Sequence, residues 1–379
     1  MISVMDSLSI VEILKTIWWG GVKEVDGFRC TSHFLHRSEV TKPTLILSVG
    51  KAAEQMYLAA AEYYGSDVPF FVATKYEHIQ HLSGENVICA GHPLPDMNST
   101  RSGEELMARI KRCGNDDHLL FLVSGGASAI AELPEPSVTL EDIIAENKQM
   151  LSCGMTISEI NSRRTMLSQI KGGKLLSHFK GKSILTLGIS DVEGNDISII
   201  GSGIGSLEKP YSVDYRCEIV GSNKIAREGA EQVANDAGFV VRENCENLYE
   251  DVYVVAKEIA AKLKSAQPGI CIFGGEPTIS LPQEHGKGGR NQSLALALAR
   301  EISGTDNLTI LVAGSDGTDG PTHAAGAIVN GRTWDSEPGA EKALQTADAC
   351  TWFDKQGGLF ITGPTGTNVM DIVVAYKSY

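Results

Sequence analysis

The chain has 379 residues, of which 42% are hydrophobic and 21% charged, which is ordinary for a globular protein of about two domains. Its formal net charge of -14 argues against nucleic acid as a partner, because binding to a phosphate backbone requires a basic face. The 40 glycines occur in clusters, which indicates tight strand-to-helix turns of the kind that ligand-binding α/β folds use.

The first such turn follows the apolar run from Thr44 to Val49. Gly50 and Lys51 come directly after this run and lead into an alanine-rich helix, which is the opening of a βαβ unit. Open α/β sheets bind ligands at the carboxyl ends of their strands, so Lys51 is predicted to neutralise a phosphate or a carboxylate. The alternative is a solvated lysine at the start of a helix.

The same pattern recurs in the run HLLFLV and the small residues that follow it. Backbone N–H groups around Gly125 and Gly126 could face an anion, together with the hydroxyl groups of Ser124 and Ser128. Helix capping by these serines is the alternative.

Three charged residues of the next segment are candidates for a site. Arg164 and Lys171 are seven residues apart, which on a helix is one face, two turns apart. The pair could clamp a polyanion, or it could be an ordinary solvated basic face. Asp191 ends an apolar strand, where a carboxylate suits a general base for a substrate hydroxyl or a magnesium ligand. A helix N-cap is the alternative for Asp191.

The most glycine-rich stretch of the second half is Gly274–Gln292, GGEPTISLPQEHGKGGRNQ, between an apolar strand and an apolar helix. Its glycines, Gly275 among them, would let N–H groups converge on an anion. Lys287 and Arg290 would add positive charge, and the following helix would point its positive end at the loop. Glu276 is a further candidate for substrate or nucleotide binding. A flexible surface loop is the alternative.

A second acidic glycine loop, GSDGTDGPT, follows the apolar run LTILVA. Asp316 and Asp319 stand three residues apart in it, with hydroxyl groups between and around them. Such a set fits Mg²⁺, which prefers a few carboxylates together with phosphate oxygens. An Asx turn without a metal is the alternative.

Strand and helix signals alternate along the whole chain, which predicts an α/β fold with parallel, doubly wound sheets in both halves. The domain boundary is expected near residues 205–235, giving domains of residues 1–225 and 226–379. The motifs GxxxxGK[ST] and GxGxxG are both absent from the sequence. Their absence disfavours a standard P-loop NTPase and a standard Rossmann dehydrogenase.

Several features bear on the compartment. The eight cysteines are widely spaced, without a CxxC pair or a metal-binding Cys/His spacing, which indicates reduced thiols. The N-terminal stretch lacks the basic start and cleavage site of a signal peptide, and no apolar run reaches the roughly 18 residues of a membrane span. We therefore expect a cytoplasmic protein without a membrane partner.

Eight blocks, taken together and in order, resemble the MOFRL-type glycerate kinases, the glycerate 2-kinase family. The blocks run from about residue 46 to 373: SVGKAAEQM, AGHPLPD, LVSGGASA, EINSRRTMLSQIKGGKL, SDVEGND, GGEPT with GKGGRNQSLALA, AGSDGTDGPTHAAGA and TGPTGTNVMD. The resemblance implies a larger Rossmann-like N-terminal domain, a smaller α/β MOFRL C-terminal domain, and an active site in the cleft between them.

The resemblance also implies a reaction, in which ATP and Mg²⁺ serve to phosphorylate the 2-hydroxyl of D-glycerate, giving 2-phosphoglycerate and ADP. Carried over block by block, it assigns catalysis to Lys51 and Asp191, anion contacts to Arg164, Lys171 and Arg290, and the acidic loop to Asp316 and Asp319. A small-molecule substrate and a nucleotide are the expected ligands, and a homodimer is left open.

The sequence departs from the family pattern in two places. Ser202-Gly203 is followed by Ile204-Gly205 where the family usually has a Ser-Gly-Pro-Thr stretch, and Arg163 stands where an aliphatic residue is usual. Because of these two departures, the sequence leaves the exact substrate open. Two other functions stay open as well: an NAD(P)H-dependent hydroxypyruvate reductase, against which the missing GxGxxG counts, and a non-catalytic ligand-binding relative.

Overall fold

The computed structural model describes residues 9–152, 157–208 and 213–379. These residues form a mixed α/β structure with two six-stranded sheets. The chain divides into two compact units, which we call the parallel-sheet unit (Val25–Ser222 and Gly366–Asn368) and the mixed-sheet unit (Asn223–Thr365, Val369–Tyr379 and the chain up to Glu24). The units are not contiguous in the chain, whereas the predicted division after residue 225 is a single cut.

The parallel-sheet unit follows the helix α1 (Ile10–Glu24), which belongs to the other unit. Its elements in chain order are α2 (Gly27–Arg37), β1 (Leu45–Val49), α3 (Ala53–Tyr64), β2 (Phe70–Lys75), β3 (Val87–Ala90), α4 (Met97–Arg112), β4 (His118–Val123), α5 (Ala127–Ile130), α6 (Leu140–Ser152), α7 (Ile157–Leu167), α8 (Lys174–Ser177), β5 (Ser183–Ile189) and β6 (Asp214–Gly221).

All neighbouring strands of this unit pair in parallel, in the order β3-β2-β1-β4-β5-β6. The parallel sheet predicted for the first half is therefore confirmed. The central strands β1 and β4 are apolar on both faces, and β1 is buried along its whole length because helices cover both sides of such a sheet. The chain order reverses between β1 and β4, and at such a point the loops after the two strands leave a crevice for a ligand.

The mixed-sheet unit contains α1 and the remaining elements. These are α9 (Asn223–Asp236), β7 (Val241–Leu248), α10 (Val252–Ser265), β8 (Gly269–Gly275), α11 (Arg290–Glu301), β9 (Leu308–Gly314), β10 (Gly326–Asn330), α12 (Ala340–Gln345), α13 (Ala349–Gln356), β11 (Leu359–Phe360) and β12 (Asp371–Lys377). Residues 291–299 of α11 are all buried, which makes this helix the centre of the core on its side of the sheet.

The prediction of a parallel sheet for the second half is wrong. The strand order is β11-β10-β9-β12-β8-β7, and β12 pairs antiparallel with both β8 and β9. The last strand of the chain thus inserts into the middle of the sheet. Alternating strand and helix signals reveal that a strand exists, but they do not reveal its neighbours or its direction, which depend on long-range pairing.

The insertion of β12 has a consequence for the polar residues of this unit. Asp371, its first residue, pairs in register with Gly275 at the end of β8 and with Gly314 at the end of β9. A carboxylate from the start of an antiparallel strand therefore lies at the edge where β8 and β9 end.

Within the described ranges, none of the helices combines the length and the apolar character of a membrane span.

Candidate functional site

The carboxyl edge of the parallel sheet brings together several of the predicted site residues. Lys51 follows β1, the turn Ser124–Gly126 follows β4, and Asp191 lies two residues after β5. The first two loops are joined by hydrogen bonds, since the Lys51 N–H donates to the carbonyl oxygen of Gly125 at 2.9 Å. The loops after β1 and β4 therefore form one continuous wall at the point where the strand order reverses.

The Ser124 side chain does not have the predicted role. Its Oγ accepts a hydrogen bond from the Ala52 N–H at 3.0 Å, and the residue is fully buried. The hydroxyl thus fastens the Lys51 loop to the turn after β4 instead of facing an anion. Ser128 lies in the four-residue helix α5 and is half-buried, and its predicted ligand contact stays a prediction.

Gly125 is the closest point between this turn and Asp191. A Cβ atom on Gly125 would lie 2.3 Å from Asp191 Oδ2 and 2.8 Å from Asn368 Nδ2. Those separations are far below van der Waals contact, so only glycine allows the carboxylate to approach the turn. Asn368 Nδ2 in turn donates to Asp191 Oδ2 at 3.3 Å.

Two basic residues, His92 and Lys51, lie next to Gly126. A Cβ atom there would lie 3.2 Å from His92 Nε2 and 3.3 Å from Lys51 Cγ. Lys51 and Asp191 therefore flank two consecutive glycines of one turn, the lysine beside Gly126 and the aspartate beside Gly125. A carboxylate and a lysine side chain at one short turn can act on a substrate that rests against its backbone.

The prediction that Arg164 and Lys171 lie on one face of a common helix is wrong. Helix α7 ends at Leu167, and Lys171 lies in the turn that follows, where Gly172 and Gly173 have left-handed backbone angles. The Lys171 ammonium group forms an ion pair with Glu132, and both side chains are only 1% exposed. Burial lowers the pKa of Lys171, and the Glu132 carboxylate opposes that change. The charge predicted to contact an anion is thus neutralised in the interior.

Arg164 does lie near this buried pair. Its Nε donates to Asn147 Oδ1 at 2.9 Å, and burial lowers the pKa of its guanidinium group while Glu132 raises it. Its predicted anion contact stays a prediction. The arrangement indicates that Glu132 faces two basic side chains, so loss of either partner would leave charge unbalanced in a buried place.

We expect Lys171→Met to lower the free energy of unfolding by on the order of 3 kcal/mol, because it leaves the Glu132 carboxylate buried without its ammonium partner. Chemical unfolding followed by circular dichroism measures this change. Adding Glu132→Gln should recover much of the loss. Lys182→Met, which removes the exposed partner of Asp116, is the control and should have little effect. A Lys171 variant as stable as the control would contradict the structural role.

In the mixed-sheet unit, Arg290 is held between two carboxylates. Its Nε lies 2.6 Å from Asp371 Oδ2, and its Nη1 lies 2.7 Å from Glu276 Oε1. Burial would lower the pKa of Arg290, but Asp371 and Glu276 outweigh burial and raise it. The Arg290 charge is therefore balanced within the unit. The predicted anion contact of Arg290 stays a prediction.

The positive end of α11 is also occupied by a residue of the chain. Asp319 Oδ1 accepts from the Asn291 N–H at 3.0 Å, and Oδ2 accepts from the Gln292 N–H at 2.8 Å. A Cβ atom on Gly289 would overlap Asp319, so the glycine at this position lets the carboxylate reach the helix. The amide groups that were predicted to bind a ligand thus bind Asp319, as an N-terminal cap does.

The prediction of Asp319 as a metal ligand does not fit this geometry, because both of its oxygens accept backbone N–H groups. Asp316 Oδ1 accepts from the N–H of Thr318 at 3.0 Å and from its hydroxyl at 2.9 Å, which is the Asx turn named above as the alternative. In the ranges that the structure describes, no three His, Cys, Asp or Glu residues are grouped so that they could hold a metal ion.

Three further residues of the stretch Gly274–Gln292 were predicted to contact a ligand. The side chain of Lys287 is exposed, and its backbone N–H donates to Asp348 Oδ1 at 2.8 Å. Gly275 is the last residue of β8, level with Asp371. Ligand contacts at Gly275, Glu276 and Lys287 remain predictions.

Asp319 leads to a pH-dependent prediction. Burial raises its pKa to about 7, while the N–H groups of Asn291 and Gln292 oppose the change. In the unfolded chain the group has an ordinary pKa near 4. The folded state therefore binds the proton more tightly than the unfolded chain does. This difference in proton binding stabilises the folded state at pH 5, and the stabilisation is lost as the pH rises through 7.

We expect the destabilisation caused by Asp319→Asn to be about 2–3 kcal/mol larger at pH 5 than at pH 8, because the variant lacks this proton-linked contribution. Unfolding in denaturant at the two pH values gives the difference. Asp306→Asn removes a carboxylate that is 70% exposed and is the matched control. A cost that is equal at both pH values, or larger at pH 8, would contradict the prediction.

Comparison with known proteins also divides the chain into two parts. The model described as "Domain of unknown function (DUF4147)" matches residues 13–236, and the MOFRL family model matches residues 269–371. The chain belongs to the MOFRL-type glycerate kinase family. This confirms the resemblance that the eight sequence blocks indicated.

Relatives in this family are similar along nearly the whole chain. The glycerate 2-kinase of Pyrococcus horikoshii is 35% identical, over 89% of this chain and 88% of its own length. The D-glycerate 2-kinase of Thermotoga maritima is 32% identical, over 87% and 89%. The crystal structure of the glycerate kinase from Thermotoga maritima covers 97% of this chain and 98% of its own, with a TM-score of 0.86 and 30% identity.

Some residues of the site in this family member were not found from the sequence. Asp371 and Asn368 both lie in the block TGPTGTNVMD, which contributes to the family resemblance but in which the sequence predicts no role for an individual side chain. Glu132, the partner of Lys171, stands in an apolar stretch where a lone carboxylate was a usable signal of a buried ion pair. In each case the partner is distant in sequence, so no local spacing could reveal it.

Proposed function

We propose that the protein is an ATP-dependent kinase that phosphorylates the 2-hydroxyl of D-glycerate, giving 2-phosphoglycerate and ADP. The observation that carries the proposal is the placement of Lys51 and Asp191 at two consecutive glycines of one turn. This pair occurs in a chain that is similar over most of its length to proteins named glycerate 2-kinase. The strand order of the parallel sheet, which is that of Rossmann-like folds, supports a ligand at this turn.

The chemistry follows from what phosphoryl transfer requires. The reaction needs positioning and neutralisation of charge more than it needs covalent catalysis. In our proposal the Asp191 carboxylate orients the substrate hydroxyl and accepts its proton. The Lys51 ammonium group stabilises the charge on the transferred phosphoryl group. Gly125, which has no Cβ atom, leaves room for the Asp191 carboxylate at the turn.

The phosphate donor is proposed to be ATP carrying Mg²⁺. Magnesium in kinases is commonly held by one or two carboxylates and by substrate phosphates, so a cluster of three protein ligands is not required. Asp319 does not fit this mode, because its oxygens cap α11, and Asp316 Oδ1 already accepts the two hydrogen bonds of an Asx turn, so a magnesium contact at Asp316 stays a prediction. A bound Mg²⁺ would neutralise phosphate charge.

Several finer expectations remain predictions. They are the active site in a cleft between domains, the cytoplasmic location, the absence of nucleic acid and membrane partners, and the homodimer. The alternative to be tested is the reductase, because two relatives from Agrobacterium vitis are named as hydroxypyruvate reductases. The loop after β1 contains one glycine and Lys51 in place of the dinucleotide fingerprint, which favours the kinase.

An ADP-release assay tests the proposal directly. The purified full chain is incubated with ATP, with and without Mg²⁺, and with D-glycerate, L-glycerate and other small hydroxy acids. We expect Mg²⁺-dependent ADP release with D-glycerate, and ³¹P NMR should identify 2-phosphoglycerate. Oxidation of NAD(P)H by hydroxypyruvate without ADP release would instead favour the reductase. A chain that binds ATP but releases no ADP with any acid would favour a non-catalytic relative.

A further inference from the structure

Three residues near the end of the chain belong to a different unit from their neighbours. Gly366–Asn368 are part of the parallel-sheet unit, whereas Thr365 and Val369 are part of the mixed-sheet unit. The middle residue is anchored, since Thr367 is 1% exposed and its hydroxyl donates to the Val25 carbonyl oxygen at 2.6 Å. This anchor holds Asn368 at a defined place in the parallel-sheet unit.

That place is beside Asp191. Asn368 Nδ2 lies 3.3 Å from Asp191 Oδ2, and both atoms stand over Gly125. The amide nitrogen must be the atom that faces the carboxylate, because an amide oxygen in the same position would repel it. A donor in this position favours the ionised carboxylate and restrains its rotation.

We propose that Asn368 is a positioning residue for Asp191. It donates to one carboxylate oxygen and so holds Asp191 in the orientation that meets the substrate hydroxyl. The catalytic part of this proposal rests on the proposed function, whereas the contact between the two side chains does not. A residue from the last fourteen of the chain thus completes a site that otherwise consists of loops after β1, β4 and β5.

The first test compares two variants of Asn368 by steady-state kinetics. Asn368→Ala should lower kcat about 10–100-fold, which is the usual effect of losing a hydrogen bond to a charged group, with KM for D-glycerate and ATP changed less than threefold. Asn368→Asp keeps the shape but places a second carboxylate against Asp191, so it should be more damaging than Asn368→Ala. If Asn368 only fills space, the isosteric Asn368→Asp should be the milder change.

A matched control shows whether an Asn-to-Asp change matters in itself. Asn307 makes a similar bond, from Nδ2 to the Ser378 carbonyl oxygen at 3.3 Å, at the start of β9. Asn307→Asp should leave kcat within twofold of wild type. Turnover of Asn368→Ala within threefold of wild type, or Asn368→Asp no worse than Asn368→Ala, would overturn the catalytic part of the proposal.

A second test needs no activity and separates failure of the contact from failure of the kinase function. At pH 8, Asn368→Asp should lower the thermal midpoint of the full chain. The same change combined with Asp191→Asn should cost little, because the pair is then an amide and a carboxylate again with their places exchanged. If wild type releases no ADP with any acid, the kinase function fails while this exchange still tests the contact. An equal cost of Asn368→Asp with and without Asp191→Asn would overturn the contact.

Discussion

Asp191→Asn is expected to lower kcat about 10²–10³-fold, with little change in KM for D-glycerate or ATP. The substitution keeps the size of the side chain, so the close approach to Gly125 is preserved. It removes the group that accepts the proton of the substrate hydroxyl and the negative charge that orients it. A general base typically contributes a factor of this order, because the attacking oxygen must lose its proton during the reaction.

ADP release at saturating substrate measures the loss, and the thermal midpoint shows that the variant is folded. Asp196→Asn is the matched control, since Asp196 lies five residues further along, is exposed, and bonds to Ser198. The control should keep turnover within twofold of wild type. Turnover of Asp191→Asn within a few-fold of wild type would show that Asp191 is not the base.

The second large effect is expected for Lys51. Lys51→Ala should lower kcat about 10²–10³-fold, because the ammonium group of this side chain, whose Cγ lies beside Gly126, is proposed to stabilise charge on the transferred phosphoryl group. Lys51→Arg keeps the charge but not its compact position, so it should recover only part of the rate. If Lys51 serves ground-state binding alone, KM for ATP should rise while kcat stays unchanged.

The control for this series is Lys42→Ala. Lys42 belongs to the same unit, its side chain is 54% exposed, and its partner is the exposed Asp67. We expect its turnover to equal that of wild type. Combining Lys51→Ala with Asp191→Asn should lower kcat by less than the product of the two single effects, since residues that act together on one step are not additive. Full additivity would mean that the two side chains act on separate steps.

The first half of the fold could be predicted well from sequence. The apolar run from Thr44 to Val49 corresponds to β1, and the turn at Gly50 and Lys51 leads into α3 as expected. The parallel sheet followed from the repetition of this pattern, because a strand, a helix and a second strand connect most simply in parallel. That rule also placed Lys51 and Asp191 at the same edge of the sheet.

The second half shows where this reasoning fails. The run DIVVAYK was recognisable as a strand, but its place between β8 and β9 was not. That place decides the surroundings of Arg290, since it brings in Asp371 from 81 positions along the chain. The glycines before α11 were assigned to an external anion, while the anion that uses the helix end is Asp319.

The strands and helices of the parallel sheet, the glycine turns after β1 and β4, and the family can all be read from the order of the residues. These are local properties, since they depend on apolar spacing, on glycine and on short blocks of residues. The charges that remain for a ligand follow from the folded arrangement instead. Glu132 neutralises Lys171, Asp371 and Glu276 neutralise Arg290, and Asn368 reaches Asp191. An opposite charge acts over a few ångströms in space, and distance along the chain does not reveal it.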